Sequence, residues 1–329
     1  MKKVAVLGAT GAVGREMIRI LEEREFPLAS LKPLASAASA GKTIRFRGEE
    51  IPVEEAKPEA FAGCDIVLGA AQNPVAMRFA PDIVKAGAVF VDNSSAFRLD
   101  PKVPLIVPEI NPEDVKWHQG IISNPNCTTI ITAVGVNAIH RISPIRNMVV
   151  STYQAASGAG QGGLEELEGQ IRALADDAPV SIKYFRYQLA CNLIPEIGSP
   201  VYEEYTAEEM KLQNEGRKIL HAPDMAVSCT CVRVPVMRSH SISATIRLER
   251  PLSVEEARAA VAAAPGCRLV DDLAQHRYPM PLDTSDQDLV FVGRIRRDLT
   301  DENGLCLFIC GDQLRKGAAT NTVQIAELL

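Results

Sequence analysis

Nothing in the 329-residue chain approaches the roughly 20 consecutive apolar residues that a membrane-spanning helix needs. The N-terminal MKKVAVLGATGAVG places two lysines before an apolar run, as a secretory signal does. The run is only VAVLGA, glycines interrupt it, and no small-residue cleavage site closes it, so a first β-strand is expected instead. An excess of positive charge is missing as well. Lys and Arg number 35 against 41 Asp and Glu, a net charge of −6. That balance argues against nucleic-acid or anionic-membrane partners, while leaving room for a local basic pocket. A disulfide framework is missing too: eight cysteines are scattered through a long chain, mostly in apolar stretches such as GLCLFICG. Cys229-x-Cys231 and Cys306-x-x-x-Cys310 have no second ligand pair nearby, so no metal site is expected. Cys229 and Cys231 alternate onto one face of a strand and read as core. Repeats, low-complexity tracts and long linkers are absent. With 47% hydrophobic residues and more chain than one core usually covers, a two-domain, cytoplasmic globular enzyme is expected.

Hydrophobic periodicity supplies the plan. Residues 3–8 read as a buried strand and 11–25 as a helix with Val13, Met17, Ile18 and Leu21 on one side. Strands follow at 31–36 and 65–71, a helix at 74–86, a strand at 88–94, a short strand at 105–110 (LIVPEI) and a strand-to-turn at 120–126. Strands alternating with helices indicate a parallel, doubly wound sheet. After that the pattern changes. Residues 128–141 are helical, 148–157 alternate like a strand, and 161–176 are helical again. Later strands are expected at 227–235, 241–249 and 289–297, with a helix at 253–263 opened by Ser253 and Glu256 in capping-box spacing. RKGAATNTVQIAELL reads as a terminal helix. Long strands mixed with helices describe an α+β second domain.

Gly8, Gly11 and Gly14 form G-x-x-G-x-x-G directly after the first strand and before a helix. A glycine triplet alone is weak evidence, because turns collect glycine. In this context it reads as a loop that brings backbone N–H groups and a helix N-terminus to a dinucleotide pyrophosphate. An acid at the end of the second strand, which would grip a ribose 2′-OH, is lacking. Leu34 to Lys42 instead offer Ser36, Ser39 and Lys42, which favours NADP; the alternative is that these are plain loop residues.

Asn124-Pro125-Asn126-Cys127-Thr128 lies where a strand ends and an apolar helix begins. A lone cysteine is more often packing than catalysis. At a helix N-terminus, however, its thiolate is favoured by the dipole, and the free N–H groups suit an oxyanion. Of five histidines, His118 lies in a surface-like segment, His140 near a helix end, His221 in a turn and His276 in a polar loop. His240 closes the segment Arg233-Val234-Pro235-Val236-Met237-Arg238-Ser239-His240 between two strands. That segment reads equally well as an anion-binding and proton-transfer site or as a solvated turn.

The motifs GATGAVG, DNSSAFR, PEIN, SNPNCTT, QAASGAG, EEMK, RVPVMRSH and DQLRKGAA, in that order, cover nearly the whole chain and resemble the aspartate-β-semialdehyde dehydrogenase family. The resemblance implies an α/β fold: a Rossmann-type NADP-binding domain plus an α+β catalytic and dimerisation domain, as in glyceraldehyde-3-phosphate dehydrogenase-like enzymes. The first would span 1–127, completed by a C-terminal helix in 312–329, and the second 128–311. The implied reaction is reversible reduction of β-aspartyl phosphate to aspartate semialdehyde, in the biosynthesis of lysine, diaminopimelate, methionine, threonine and isoleucine. By resemblance Cys127 forms the acyl thioester, His240 is the acid/base, Gln154 positions substrate and Asn126 assists the thiol. Arg233 would pair with the substrate carboxylate, Glu208 with its amino group, and Arg98 and Lys211 with phosphate. Cofactor contacts would come from Gly8, Thr10, Gly11, Ala12, Val13, Ser36, Ser39, Ser157, Gly158 and Gln313. The partners implied are a small-molecule substrate, phosphate and a second copy of the chain, as a homodimer through the second domain or a homotetramer built from two dimers.

Structural alternatives stand beside these roles: Arg98 could cap its loop, and Glu208 and Lys211 could be an exposed helical ion pair. Two positions depart from the family pattern. Ala38 stands where many bacterial members carry an Arg that pairs with the 2′-phosphate, and Ala70-Ala71-Gln72-Asn73 lacks serines often found there. N-acetyl-γ-glutamyl-phosphate reductase shares the chemistry, but its motifs resemble N-P-G-C-Y and S-A-D-F-R rather than N-P-N-C-T and S-S-A-F-R. An inactive nucleotide-binding paralogue should have lost its nucleophile or base; Cys127, Gln154, Arg233 and His240 are all present.

Overall fold

The structure, a computed structural model, describes residues 1–329. It divides into two compact units, one of residues 1–126 with 318–329 and one of residues 127–317.

The first unit runs β1 (Lys2–Leu7), α1 (Ala12–Glu23), β2 (Leu28–Ala35), a β3–β4 hairpin (Thr43–Phe46, Glu49–Pro52), β5 (Glu54–Glu55), β6 (Ile66–Gly69), α2 (Asn73–Lys85), β7 (Val89–Asp92) and β8 (Ile121–Ser123). Its six-stranded sheet has the order β5-β2-β1-β6-β7-β8, all parallel. Both faces are covered, so strand residues are apolar on both sides. Val4 and Val6 point into a core with Met17 and Leu21 of α1 and with Val323 and Ala326 of the returning C-terminal helix. Ala5 and Leu7 point the other way, against Ala76, Phe79 and Ile83 of α2. This is the doubly wound arrangement that the alternation predicts.

The expected strand at 105–110 is reduced to a single parallel bridge, Leu105 to Ser123 of β8, with the Ile106 N–H donating to the Ser123 carbonyl at 3.1 Å. Leu105, Ile106 and Val107 are buried, and side-chain amides satisfy much of their remaining backbone. Asn111 donates to the Leu105 carbonyl (2.9 Å) and accepts from the Val107 N–H (2.9 Å), and Asn321 donates to the Ile106 carbonyl (2.9 Å). Pro104, Pro108 and Pro112, which lack N–H donors, bracket the segment.

The second unit runs α3 (Cys127–Ile142), β9 (Ile145–Gln154), α4 (Gln161–Ala175), the β10–β11 pair (Pro200–Tyr202, Tyr205–Thr206), α5 (Ala207–Ile219), β12 (Ala226–Arg233), β13 (His240–Leu248), α6 (Val254–Ala263), β14 (Cys267–Leu269), α7 (Pro281–Thr284), β15 (Val290–Arg297) and β16 (Gly304–Gly311). Its mixed six-stranded sheet has the order β12-β9-β13-β16-β15-β14. Ser253 caps α6 with the full capping box. The stretch GLCLFICG, read only as an apolar cysteine-bearing run, is β16, a central strand.

The chain re-enters the first unit at Ala318, so the returning segment is shorter than the expected 312–329. Asp312 and Arg315 are held in the second unit by ion pairs, Arg238 to Asp312 at 2.5 Å and Arg315 to Asp288 at 2.8 Å. A π-helical turn at Arg315–Ala319 then leads into α8 (Thr320–Glu327).

Candidate active site

The first unit builds its site from backbone. The N–H groups of Gly8 and Ala9 both donate to the Leu34 carbonyl, tying the loop to the end of β2. A Cβ at Gly14 would sit 2.2 Å from the Gly8 carbonyl oxygen, so only glycine lets α1 rise this close to the loop. Gly11 is the N-cap of α1 and makes no side-chain cap, leaving the first N–H groups of the helix, from Ala12 and Val13 onward, to point outward.

Ser36 lines a cavity of about 420 Å³ together with Gly8, Ala37, Lys57 and Arg78. Ser39 ends a short helical turn, its N–H donating to the Ser36 carbonyl. Lys42 is beside Ser39, as expected, its N–H donating to the Ser39 carbonyl (3.3 Å), and it lines a second cavity with Thr10, Arg15 and Arg45.

Arg98 is buried, and its Nε and Nη2 donate to the carbonyls of Asn124 (3.0 Å) and Asn93 (2.8 Å). The capping alternative for Arg98 is therefore realised: it braces the strand-to-helix turn three residues before Cys127. The Asn124 side chain reinforces the turn through Asn93 (2.6 Å) and Asn321 (2.7 Å). Asp92 beside it is raised above the usual carboxylate range by burial, against the hydrogen bonds of Ser94. Asn126 is buried immediately before the cysteine.

In the second unit Cys127 is half-buried as the first residue of the 16-residue α3. All eight cysteines are free, and no other opens a helix. Cys229 and Cys231 are buried on one face of β12 with sulfurs 3.8 Å apart. Their mutual hydrogen bond and their burial push the Cys229 thiol up, which makes it inert as a nucleophile.

The remaining polar groups gather around Gln154 and Ala155. Arg233 ends β12 directly opposite Gln154, which ends β9. His240 opens β13 and is fully buried. Ala155 follows Gln154. Its carbonyl accepts from Arg233 Nη1 (2.6 Å), and its N–H donates to His240 Nδ1 (3.1 Å). Gln154 Nε2 reaches Glu208 Oε1 (3.3 Å), whose other oxygen pairs with Lys211 at 2.7 Å. Glu208 and Lys211 are thus not the exposed pair that i,i+3 spacing allows: Glu208 keeps only 11% of its side-chain exposure.

The electrostatics follow from this packing. Burial, then the Arg233 charge, push His240 down to about 3, with Glu208 opposing. Arg233 itself is lowered by burial, against the charges of Glu208 and Cys127. The positive end of α3 and this guanidinium both favour negative charge on the Cys127 sulfur. His118, His140, His221 and His276 take no part: the Nδ1 atoms of His118 and His140 accept from the Gly120 and Ile145 N–H groups, and the other two occupy left-handed turns.

Gln313 and Ser157, expected at the cofactor, are hydrogen-bonded to each other, and Gln313 Oε1 also accepts from the Ser239 N–H (2.9 Å). Gly158 abuts the site: a Cβ there would lie 2.9–3.0 Å from the His240 ring and Arg233 Nη1. Two groups escaped sequence reasoning. The Ala155 peptide carries no signal, because it acts through backbone atoms. Asp312, fully buried and paired with Arg238 next to the histidine segment, looks in sequence like any surface acid.

A parallel dinucleotide-type unit followed by a mixed sheet, with a helix-opening thiol, a buried imidazole and a buried guanidinium, is the arrangement of an oxidoreductase. Comparisons with known proteins agree. Residues 3–118 match the model "Semialdehyde dehydrogenase, NAD binding domain" and residues 136–316 "Semialdehyde dehydrogenase, dimerisation domain". The chain is 52% identical over 327 residues to the aspartate-semialdehyde dehydrogenase of a Synechocystis species, covering 99% of this chain and 97% of that one. It superposes with a TM-score of 0.97 on the crystal structure of aspartate semialdehyde dehydrogenase II complexed with ASA from Vibrio cholerae, at 39% identity over 100% of this chain and 98% of that one. The Candida albicans enzyme solved with NADP superposes at a TM-score of 0.77, with 26% identity over 100% and 98% of the two chains. The chain belongs to the aspartate-semialdehyde dehydrogenase family. It is an oxidoreductase, and none of its helices is long and apolar enough to cross a membrane.

Proposed function

We propose that the chain catalyses the reversible, NADP-dependent reduction of L-aspartyl-4-phosphate to L-aspartate-4-semialdehyde, through an acyl thioester on Cys127. This step belongs to the biosynthesis of lysine, diaminopimelate, methionine, threonine and isoleucine. The observation that carries it is the meeting of Arg233 and His240 on the backbone of Ala155, next to Gln154, which reaches Glu208 and through it Lys211. The substrate is a zwitterion bearing an acyl phosphate. It calls for a cationic fork for the carboxylate (Arg233), an acid for the ammonium (Glu208), a cation for the phosphate (Lys211), and an amide to orient the carbonyl (Gln154). The Cys127 sulfur attacks the acyl carbon and the phosphate departs, leaving the thioester. Asn126 supports the thiol from the preceding residue.

The first unit suits NADP. Its glycine loop and the α1 N-terminus offer N–H groups to a pyrophosphate, and the cavity beside Ser36 carries two cations, Lys57 and Arg78. We read these as the partners of the 2′-phosphate in place of the arginine that Ala38 lacks, with Ser39 adding a hydroxyl. When bound, the nicotinamide supplies or accepts the hydride.

The outward face of β9 leaves Val149 60% and Tyr153 37% exposed on the side opposite Gln154. Exposed apolar groups on a central sheet suit a homodimer across this face, and a second contact between dimers gives the tetramer. Eight free thiols suit a cytoplasmic setting. A steady-state assay with phosphate tests the reading by comparing aspartate semialdehyde with N-acetylglutamate semialdehyde, and NADP with NAD. Preference for aspartate semialdehyde and NADP is expected. Equal or better turnover of the acetylated substrate would overturn it.

A further inference from the structure

The second strand ends without the acid that usually meets a ribose 2′-OH, but its neighbour brings one to the same place. β5 pairs with β2 in parallel, and Glu55 stands opposite Ala35, the last residue of β2. The Ala56 N–H donates to the Ala35 carbonyl (2.8 Å) and fixes that register. Ser36 and Glu55 then line one cavity, with Lys57 and Arg78 beside them. Strand alternation turns Glu54 to the other face, and it is not part of the cavity wall. A carboxylate is therefore missing from residues 34–42 of the sequence, yet present at the end of β2 in the fold.

The two cations of this cavity are not equivalent. Lys57 Nζ pairs with Glu55 Oε2 at 2.8 Å, and the hydrogen bond and charge of that carboxylate hold the ammonium above its usual range. Arg78 has no carboxylate partner; its guanidinium lies over the Phe79 ring, 4.8 Å from the centroid. A phosphate entering here meets Arg78 directly, but it has to take Lys57 from Glu55 and then stands next to a like charge. The Glu55–Lys57 pair is partly exposed, and such pairs contribute little, so a phosphate can part it. A hydroxyl in the same place meets a different surface: a carboxylate oxygen that accepts its hydrogen.

We propose that Glu55 sets how sharply the site distinguishes NADPH from NADH: it accepts a hydrogen bond from the ribose 2′-OH when no phosphate is present, and it competes with the 2′-phosphate for Lys57 when one is. This rests on the NADP reading above and extends it from the cations to the acid beside them. Lys57 and Arg78 favour the phosphorylated cofactor, and Glu55 narrows the margin. The acid does this from β5, an edge strand of two residues, and not from β2 itself.

The test is fluorescence titration of the full-length protein with NADPH and with NADH, in wild type and in the E55Q, K57A and E54Q variants, so that no turnover is involved. Glutamine keeps the size of Glu55 and removes its charge. E55Q should bind NADPH about threefold more tightly and NADH about fivefold more weakly, widening the ratio of the two dissociation constants on the order of tenfold. K57A should move the ratio the other way, weakening NADPH and sparing NADH. E54Q should match wild type; the same shift there would mean that surface charge in general, and not Glu55, is responsible. A ratio unchanged in E55Q, or equal losses for both cofactors, overturns the proposal, as does NADH binding too weak to measure in wild type. Failure of wild type to bind NADPH would sink the nucleotide reading itself, whereas firm NADPH binding with an unmoved ratio would sink only the role of Glu55.

Discussion

The two units make their sites in different ways. The first relies on main-chain N–H groups in one short loop between β1 and α1, and every part of it lies within a few residues of the next. The second joins side chains from α3, β9, α5, β12 and β13, and the backbone of a single residue, Ala155, meets both the imidazole and the guanidinium. A backbone cradle needs little more than glycine in the right place, whereas a side-chain cluster needs a complete sheet register. Arg233 faces Gln154 only because β12 pairs with β9 in that register, and a slip of one residue would turn both away.

The difference predicts that damage to the second site leaves the first intact. The largest effect belongs to Cys127→Ser. Turnover of aspartate semialdehyde should fall on the order of 10^4-fold or more, while fluorescence titration gives an unchanged affinity for NADPH. Retained turnover would remove Cys127 as the nucleophile.

Acid stability comes next. His240 is pushed down to about 3 in the fold and titrates near 6.5 when unfolded. The unfolded chain therefore binds the extra proton first as pH falls. Stability is fully present above about pH 6.5 and declines steadily toward pH 3, by a few kcal/mol in total. Urea midpoints measured across this range should show the decline in wild type and a shallower one in H240Q.

Arg233→Lys keeps the charge but loses the planar fork. It should lower kcat/KM for aspartate semialdehyde by about 100-fold, mostly through KM, again without changing NADPH binding. The smallest effect tests the other unit. Arg78→Ala should weaken NADPH binding about tenfold and leave NADH binding nearly unchanged, with Cys127 alkylation unaffected. Equal loss for both cofactors would mean that Arg78 does not meet the 2′-phosphate.

Local signals were legible to the degree that they were local. The glycine loop, the capping box at Ser253 and Glu256, and the helix-opening position of Cys127 all appear in sequence as they do in the fold, because each depends on neighbours within about four residues. The 105–110 segment misled because its apolar run is real and buried, yet it meets β8 at one bridge only, and Asn111 and Asn321 bond its other backbone groups. Asn321 is more than 200 residues away, and no periodicity reports it. The strand β16 was hidden for the opposite reason: an apolar run without clear alternation gives no period to read. Glu208 and Lys211 looked like a surface pair at i,i+3, and only the packing of α5 beside β12 draws Glu208 to Gln154.

By itself the sequence determined the doubly wound first unit, the nucleotide loop, the choice of Cys127 among eight cysteines and, through motif order, the family. These depend on residue type and short spacing, which the chain carries openly. Tertiary structure alone decided that Arg98 braces the turn before Cys127, that Glu208 reaches Gln154, and that the imidazole of His240 meets the Ala155 N–H. Each of these turns on which atom a side chain meets after the sheets have closed, and a peptide N–H such as that of Ala155 is the same in every sequence until the fold aims it.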